Sequence, residues 1–545
     1  MRISRNCFPI LALALAPSLL AAPPVYDLAV YGATAGGVVT AIAAASEGLK
    51  VVLLEPGNHV GGMATGGLSR TDVGKREVIG GYALEFYWRV GRQYDIGRYD
   101  RQVAWFYEPH VGARVFREWL SAAGVEVLFG KRLRERNGVV KQDGRIVSAT
   151  TEDGSVYAAR MFADCSYEGD LMAQAGVSYT VGREAVSTYG ESLAGMREKT
   201  PKHQFLVPIS AHDEQGKLLP EIQDVASSAP GSADRKVQAY NFRMILSDDP
   251  ANQLPFPKPP GYDAHRYELL ARLLAATNTE SHPLRLSDVT LPVSIPNRKA
   301  DFNNNGPFST DFLGASWDYP DGSYRRRAEI WQAHVDYTKG FFWFLAHDPR
   351  VPKPLQAEVN RWGLAKDEFT DSDHWPHQLY IREARRMVGD FVMTQKDLQT
   401  DLTKPDPIGM GSYNSDSHNV ERIVNSQGFV ENEGDMQVPV TPYQIPYRVI
   451  LPKRAEASNL LVPVCFSASH VAYSSLRMEP QYMILGQAAG VAAAMALHAN
   501  VAVQDIDRAA LTEKLRGEGA IMEYRAPAVP ESFFQDLLRR DRPQR

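Results

Sequence analysis

Three groups of residues in this chain have the types and spacing that chemistry needs. The first is a glycine-rich turn, Gly32-Ala-Thr-Ala-Gly-Gly37. Gly32, Ala35, Gly36 and Gly37 leave backbone N–H groups at a helix start open to an anionic phosphate, with no bulky side chain in the way. Thr34 stands where the middle glycine of the G-x-G-x-x-G pattern falls and brings a Cβ toward that phosphate. Glu55, followed by Pro56, lies 18 residues beyond Gly37 at the end of an apolar run. A carboxylate there accepts ribose hydroxyls and repels a 2′-phosphate, so the turn is expected to hold FAD or NAD. The stretch from Glu55 to Leu68 then carries paired glycines at 61, 62, 66 and 67, with Met63 between them. Backbone so bare can approach a large flat ligand from one side, which points to FAD.

The second group could move protons. Tyr413-Asn-Ser-Asp-Ser-His418 offers His418, with Asp416 placed to orient it, and His470 in Ser467-Ala-Ser-His-Val-Ala-Tyr473 is the alternative. Dehydrogenation next to a hydroxyl or amine needs a base while the flavin takes hydride, and imidazole suits neutral pH. The third group is cationic: Arg382-Glu-Ala-Arg-Arg386 either holds a carboxylate or phosphate or forms a salt-bridged face. His59, in the flavin-side loop, is a site where covalent attachment of FAD stays open. Trp317, Trp343, Trp362 and Trp375 either stack on sugar rings or pack in a core. No C-x-x-C occurs, and no metal site is expected. A second glycine-rich turn for NAD(P)H is also missing, so substrate is expected to reduce the flavin and oxygen or a quinone to reoxidise it.

These residues need elements to hold them. Residues 26–31, 38–45 and 51–54 read as strand, helix and strand, a right-handed βαβ unit with parallel strands. A further strand covers 125–129. Three short runs near Val139, over 146–151 and over 156–162, separated by Asp143-Gly144 and Asp153-Gly154, read as a β-meander. Proline-rich loops mark 201–400, with a long helix over 326–346. Residues 460–465 read as a strand, and Pro480 opens a helix to His498 rich in Gly and Ala, suited to close packing.

At 545 residues, 44% hydrophobic and 23% charged, the chain is globular and multi-unit. A net charge of −5 without long charge blocks speaks against nucleic acid as a partner. Arg2 and Arg5 precede an apolar run over 8–20 that ends at Ala21 and Ala22, which reads as a secretory signal cleaved near Ala22. Export to the periplasm or medium is expected, with no membrane span after cleavage. The two remaining cysteines, Cys165 and Cys465, leave a disulfide open.

The chain resembles the FAD-dependent oxidoreductases of the glutathione-reductase-like flavoprotein superfamily, and more narrowly bacterial proteins of that kind, some of them labelled xanthan lyase. The likeness covers nearly all of the mature chain. It rests on the Gly32 turn with Glu55, the Gly-Gly loop, Asp164-Cys-Ser-Tyr-Glu-Gly-Asp170, Arg477-Met-Glu-Pro480 and Leu485-Gly-Gln-Ala-Ala-Gly490. The superfamily commonly reads Asp-Ala-Thr-Gly-Asp at Asp164, and this chain departs with Cys165 and an inserted Tyr167-Glu168. The resemblance implies an α/β fold: a Rossmann-type FAD-binding domain with a parallel sheet and β-meander, interrupted by an inserted mixed α+β substrate domain. The expected boundaries are signal peptide 1–22, FAD-binding domain 23–200 and 401–510, insert 201–400, and tail 511–545. Beside the turn and loop residues, Val127, Asp164, Gly169, Asp170, Met478, Leu485, Gly486 and Gln487 are expected at the cofactor. The helix start at 478–481 would face the flavin pyrimidine, where its dipole and Arg477 favour negative charge.

The leading expectation is an FAD-dependent dehydrogenase or oxidase acting on a small alcohol or sugar-like substrate. An FAD-dependent lyase or isomerase without net redox change, and a non-catalytic secreted binding protein, are the alternatives.

Overall fold

The computed structural model describes residues 25–94, 103–224 and 228–526. The expected signal segment lies outside the described residues.

Strand β1 (Val25–Tyr31), helix α1 (Ala35–Ser46) and strand β2 (Val51–Leu54) form the expected βαβ unit, with β1 and β2 parallel. The turn between β1 and α1 is tight for a physical reason. Gly32 has φ +92, and a Cβ on it would come within 2.7 Å of the Ser166 nitrogen. Strands β3 (Glu126–Leu128), β4 (Val139–Gln142), β5 (Arg145–Thr150) and β6 (Val156–Asp164) complete a sheet in the order β3-β2-β1-β6-β5-β4, with Leu460–Leu461 pairing parallel to β6.

The three meander strands are present but do not make a separate unit. The first residues of β6 pair antiparallel with β5, and from Val25↔Ala158 to Tyr31↔Asp164 the same strand runs parallel to β1. The meander is thus an antiparallel extension of the parallel sheet. Asp143 and Gly144 both have positive φ, as a two-residue type I′ hairpin demands. The strand expected over 460–465 stops at Leu461, because Val462 donates its N–H to Ile450 instead and Pro463 has none to give.

Within 201–400 lies a second, five-stranded antiparallel sheet. Its order is Thr290–Ile295, Lys299–Asn304, Met244–Ser247, Gly363–Ala365, Gln253–Leu254. The long helix here spans Tyr324–His347 and is capped by the Ser323 hydroxyl, which accepts the Arg326 N–H. The apolar core is continuous between the two sheets, from Val30 and Val38 through Phe242 and Phe341. The stretch 511–545, expected as a tail, begins inside helix Arg508–Gly517, whose Leu511 and Leu515 are buried. Cys165 and Cys465 are buried free thiols.

Helix Glu479–Ala499 starts with Pro in its first turn and ends on Asn500 in the left-handed conformation. By length and composition it could cross a membrane, yet every residue from 479 to 494 is buried. It packs on α1 through its small residues. A Cβ on Gly486 would stand 2.3 Å from the Gly36 carbonyl oxygen, so the two backbones meet only because no side chain intervenes. Gly486→Ala should therefore cost about 1–3 kcal/mol. A urea midpoint unchanged from the unmodified protein would refute this packing.

Candidate functional site

The glycine-rich turn places Thr34 at the helix N-cap, and the side chain turns inward. Its hydroxyl donates to the Cys165 carbonyl at 2.7 Å and accepts the Gly37 N–H at 3.1 Å. The Cβ expected to crowd a phosphate is thus tied to the end of β6. The Gly36 N–H is buried and has no partner among the described residues, while that of Ala35 faces the Gly61 carbonyl across the parallel bridge between Thr34 and Gly61, so the helix start keeps a donor for an anion. At the end of β2, Glu55 accepts the Ala33 and Gly57 N–H groups, each at 2.7 Å, while burial pushes its carboxyl up to about 7. Pro56 follows it, and Val127 lies on β3 opposite Leu53.

The loop after β2 is bare for more than ligand access. Gly61 is pressed by Thr65 and Phe116, and a Cβ on Gly62 would lie 2.4 Å from the Tyr167 hydroxyl, which accepts the Met63 N–H at 2.9 Å. His59 stacks on His377 with centroids 3.8 Å apart and pairs with Asp371 at 2.9 Å.

Several residues expected at the cofactor also make defined contacts within the protein. Both oxygens of Asp164 close their own loop, accepting from Ser166 and from the Met172 N–H. Asp170 is clasped by Arg327 and Arg385, which hold its carboxyl below the usual range although burial alone would raise it. Gly169 caps the short helix Asp170–Gln174. Leu485 lies in the core and Gly486 against α1. Gln487 accepts the Tyr82 N–H and donates to Glu518, so both ends of its amide are taken. Spacing within one helix does not reveal which face meets a neighbour, and here the second turn faces α1 and helix Gly81–Gly91.

The proton-handling residues converge. Helix His470–Leu476 is capped by the Ser469 hydroxyl, and Arg477 and Met478 form the corner between it and helix Glu479–Ala499. Arg477 is buried at that corner, its guanidinium donating to the Asp416 carbonyl at 2.7 Å and the Tyr380 hydroxyl at 3.2 Å. His418, at the end of strand Ser415–Ser417, is oriented by Asp311 at 2.7 Å from Nδ1. The expected partner Asp416 is 3.8 Å from Nε2, too far for a hydrogen bond. Arg382 pairs with Asp311 at 3.0 Å. Although burial would raise Asp311, Arg382 and then His418 bring it down to about 2. Burial, then Arg382, keeps His418 below the ordinary imidazole value despite Asp311. The lowered value favours the neutral imidazole, with Nε2 as the open end of a ring that retains 12% exposure.

His470 has its own carboxylate, Glu383, at 2.8 Å, and Gln238 joins the two histidines by donating to Glu383 while accepting the His418 N–H. The arginine motif is therefore an interior network: Arg386 pairs with Glu184 and Glu383, Arg385 with Asp170 and Asp321. Asp311 and Tyr380 were invisible to sequence reasoning. Asp311 lies 107 residues from His418, and nothing local marks it.

Two other groups resolve toward structure. Glu108, His110 and Glu368 approach a metal-like arrangement, but the Lys299 ammonium sits among them, 2.5 Å from Glu108 and 2.7 Å from Glu368. Trp375 is buried, while Trp343 stacks on His347 and Trp362 meets Phe302 edge-on. Trp317 lines a surface cleft of about 590 Å³, with Lys236 over its ring at 4.7 Å.

A parallel sheet with a phosphate-ready turn, an acidic β2 end and a buried histidine–arginine network at a helix start define a dinucleotide-binding oxidoreductase of the Rossmann type. The family model for FAD dependent oxidoreductase matches residues 27–515, and the chain belongs to that family. Its cofactor is FAD, and it is an FAD-dependent oxidoreductase. No curated protein matches the chain. Among solved structures it is similar to the L-amino acid deaminase from Proteus vulgaris, at 18% identity over 30% of this chain and 53% of that chain, TM-score 0.23. It is also similar to L-proline dehydrogenase from P. horikoshii (14% identity, 30% of this chain, 59% of that one, TM-score 0.23) and to the Diels-Alderase PyrE3 (17%, 29%, 36%, TM-score 0.20). The chain spans less than two thirds of the length of each.

Proposed function

We propose that this FAD-dependent oxidoreductase is an exported dehydrogenase or oxidase that takes hydride from a small alcohol- or sugar-like substrate, with oxygen or a quinone as electron acceptor. The observation that carries the chemistry is the Arg382–Asp311–His418 chain beside Arg477. Export rests on the basic, then apolar, N-terminal segment.

The residues present fit the cofactor. The free Gly36 N–H at the helix start would help hold the pyrophosphate, Glu55 the adenine-side ribose, and the loop from Gly61 with the corner at Arg477 and Met478 the flavin end. Bound FAD supplies the acceptor for a hydride. His418 does the proton work. Asp311 fixes the tautomer with the proton on Nδ1, leaving Nε2 to accept the substrate hydroxyl proton as the C–H bond gives up hydride and a carbonyl forms. Arg382 compensates the buried Asp311 charge.

Anaerobic mixing with a panel of alcohols and sugars tests this reading. Loss of the flavin band near about 450 nm with a productive substrate is expected. Turnover without bleaching would replace it with the lyase or isomerase reading.

A further inference from the structure

The first turn of helix Glu479–Ala499 contains a buried carboxyl with no cation beside it. Glu479 is 3% exposed, and no Lys or Arg pairs with it among the described residues. Its one partner there is the Tyr167 hydroxyl, which donates to Oε1 at 2.7 Å, while Oε2 is buried without a partner. Two residues on, Gln481 Oε1 is also buried and unpartnered. The Tyr167 oxygen accepts the Met63 N–H, and Gly62 makes room for it, so a single hydroxyl joins the loop after β2 to the helix start.

That arrangement fixes which atom is left to act. Tyr167 has one proton, and it is committed to Oε1. Burying an ionised carboxylate without a cation is costly, and burial pushes Glu479 up to about 8 even though the Tyr167 bond pulls the other way. The carboxyl is predominantly neutral at pH 7, and Oε2 then offers an O–H donor. The titratable groups around Glu479 are Tyr87, Tyr107 and Tyr167 from other elements and Tyr482 on its own helix, all raised by burial above the ordinary phenol value. None of them competes with it for a proton near neutrality.

We propose that Glu479 is a further residue of the cofactor site, a neutral carboxyl whose Oε2 proton is hydrogen-bonded to an electronegative atom of bound FAD and whose ionisation makes the cofactor harder to reduce. The physical basis is charge. Reduction gathers negative charge on the flavin, which an O–H donor at a helix N-terminus stabilises and a carboxylate in the same place opposes. The inference rests on FAD as cofactor and is independent of the substrate and of the role of His418.

The test is the midpoint potential of bound FAD, measured with the holoprotein from about pH 6 to about pH 10. The unmodified protein should show an added fall in potential as pH rises through about 8. Glu479→Gln keeps a neutral donor and should abolish that break, leaving the potential above that of the unmodified protein at the alkaline end. Tyr167→Phe removes the one bond that lowers the Glu479 value and should move the break to higher pH. Absence of any break in the unmodified protein, or a break that persists in Glu479→Gln, overturns the proposal. If Glu479→Gln does not retain FAD, a break left unmoved in Tyr167→Phe overturns it equally.

Discussion

Replacing His418 by Asn should slow substrate-driven flavin reduction by about 10²–10⁴-fold, with FAD still bound and the fold intact. The replacement is smaller but polar, and its amide can still meet Asp311, but the base is gone. Stopped-flow absorbance near about 450 nm reads the rate directly. The pH dependence supplies an independent check. A base must be unprotonated to act, so the rate falls as pH drops through the pKa of His418. Burial, then Arg382, lowers that value, so the acid limb should lie below the roughly 6.5 of free imidazole. Asp311→Asn removes the carboxylate that holds Nδ1 and should give a smaller loss with a displaced limb. An unchanged rate in His418→Asn would move the role to His470, which has the same kind of support from Glu383.

Gly37→Ala should abolish FAD retention and destabilise the fold by about 1–3 kcal/mol or more. A Cβ at this position would lie 1.9 Å from the Gly32 carbonyl oxygen and 3.0 Å from the Cys165 Cβ. The first of these is backbone in the turn itself, which cannot retreat without opening the helix start. The measurements are the flavin-to-protein absorbance ratio of the purified variant and its urea midpoint. Gly517→Ala is the control: nothing lies within 4 Å of its Cβ, and a change within about 0.5 kcal/mol is expected. Retention of FAD by Gly37→Ala would remove the turn from the cofactor site.

The elements were legible where their signals are local. The apolar run to Tyr31, the glycines at 32, 36 and 37, and Pro480 with the Gly/Ala-rich stretch after it act within one or two turns of chain, and β1, α1 and helix Glu479–Ala499 appear where those signals place them. Asp143-Gly144 marked its hairpin for the same reason. What such signals cannot convey is the neighbour. The spacing suggested Asp416 as partner of His418, but the short bond comes from Asp311 in a distant loop. Arg382 to Arg386 looked like a surface face or an anion clamp, yet each of its charged groups is paired in the interior. Gln487 sits in a cofactor-like motif but is taken by Tyr82 and Glu518.

The sequence by itself determined a dinucleotide-binding βαβ unit with an acidic β2 end, because periodicity, turn residues and caps are read within short windows. Tertiary structure alone decided that Thr34 turns away from the phosphate position, that β6 serves both the meander and the parallel sheet, and that His418, His470 and Arg477 share one buried network. Those outcomes depend on which side chains meet across long chain separations, where burial makes an unpaired charge costly and so selects its partner.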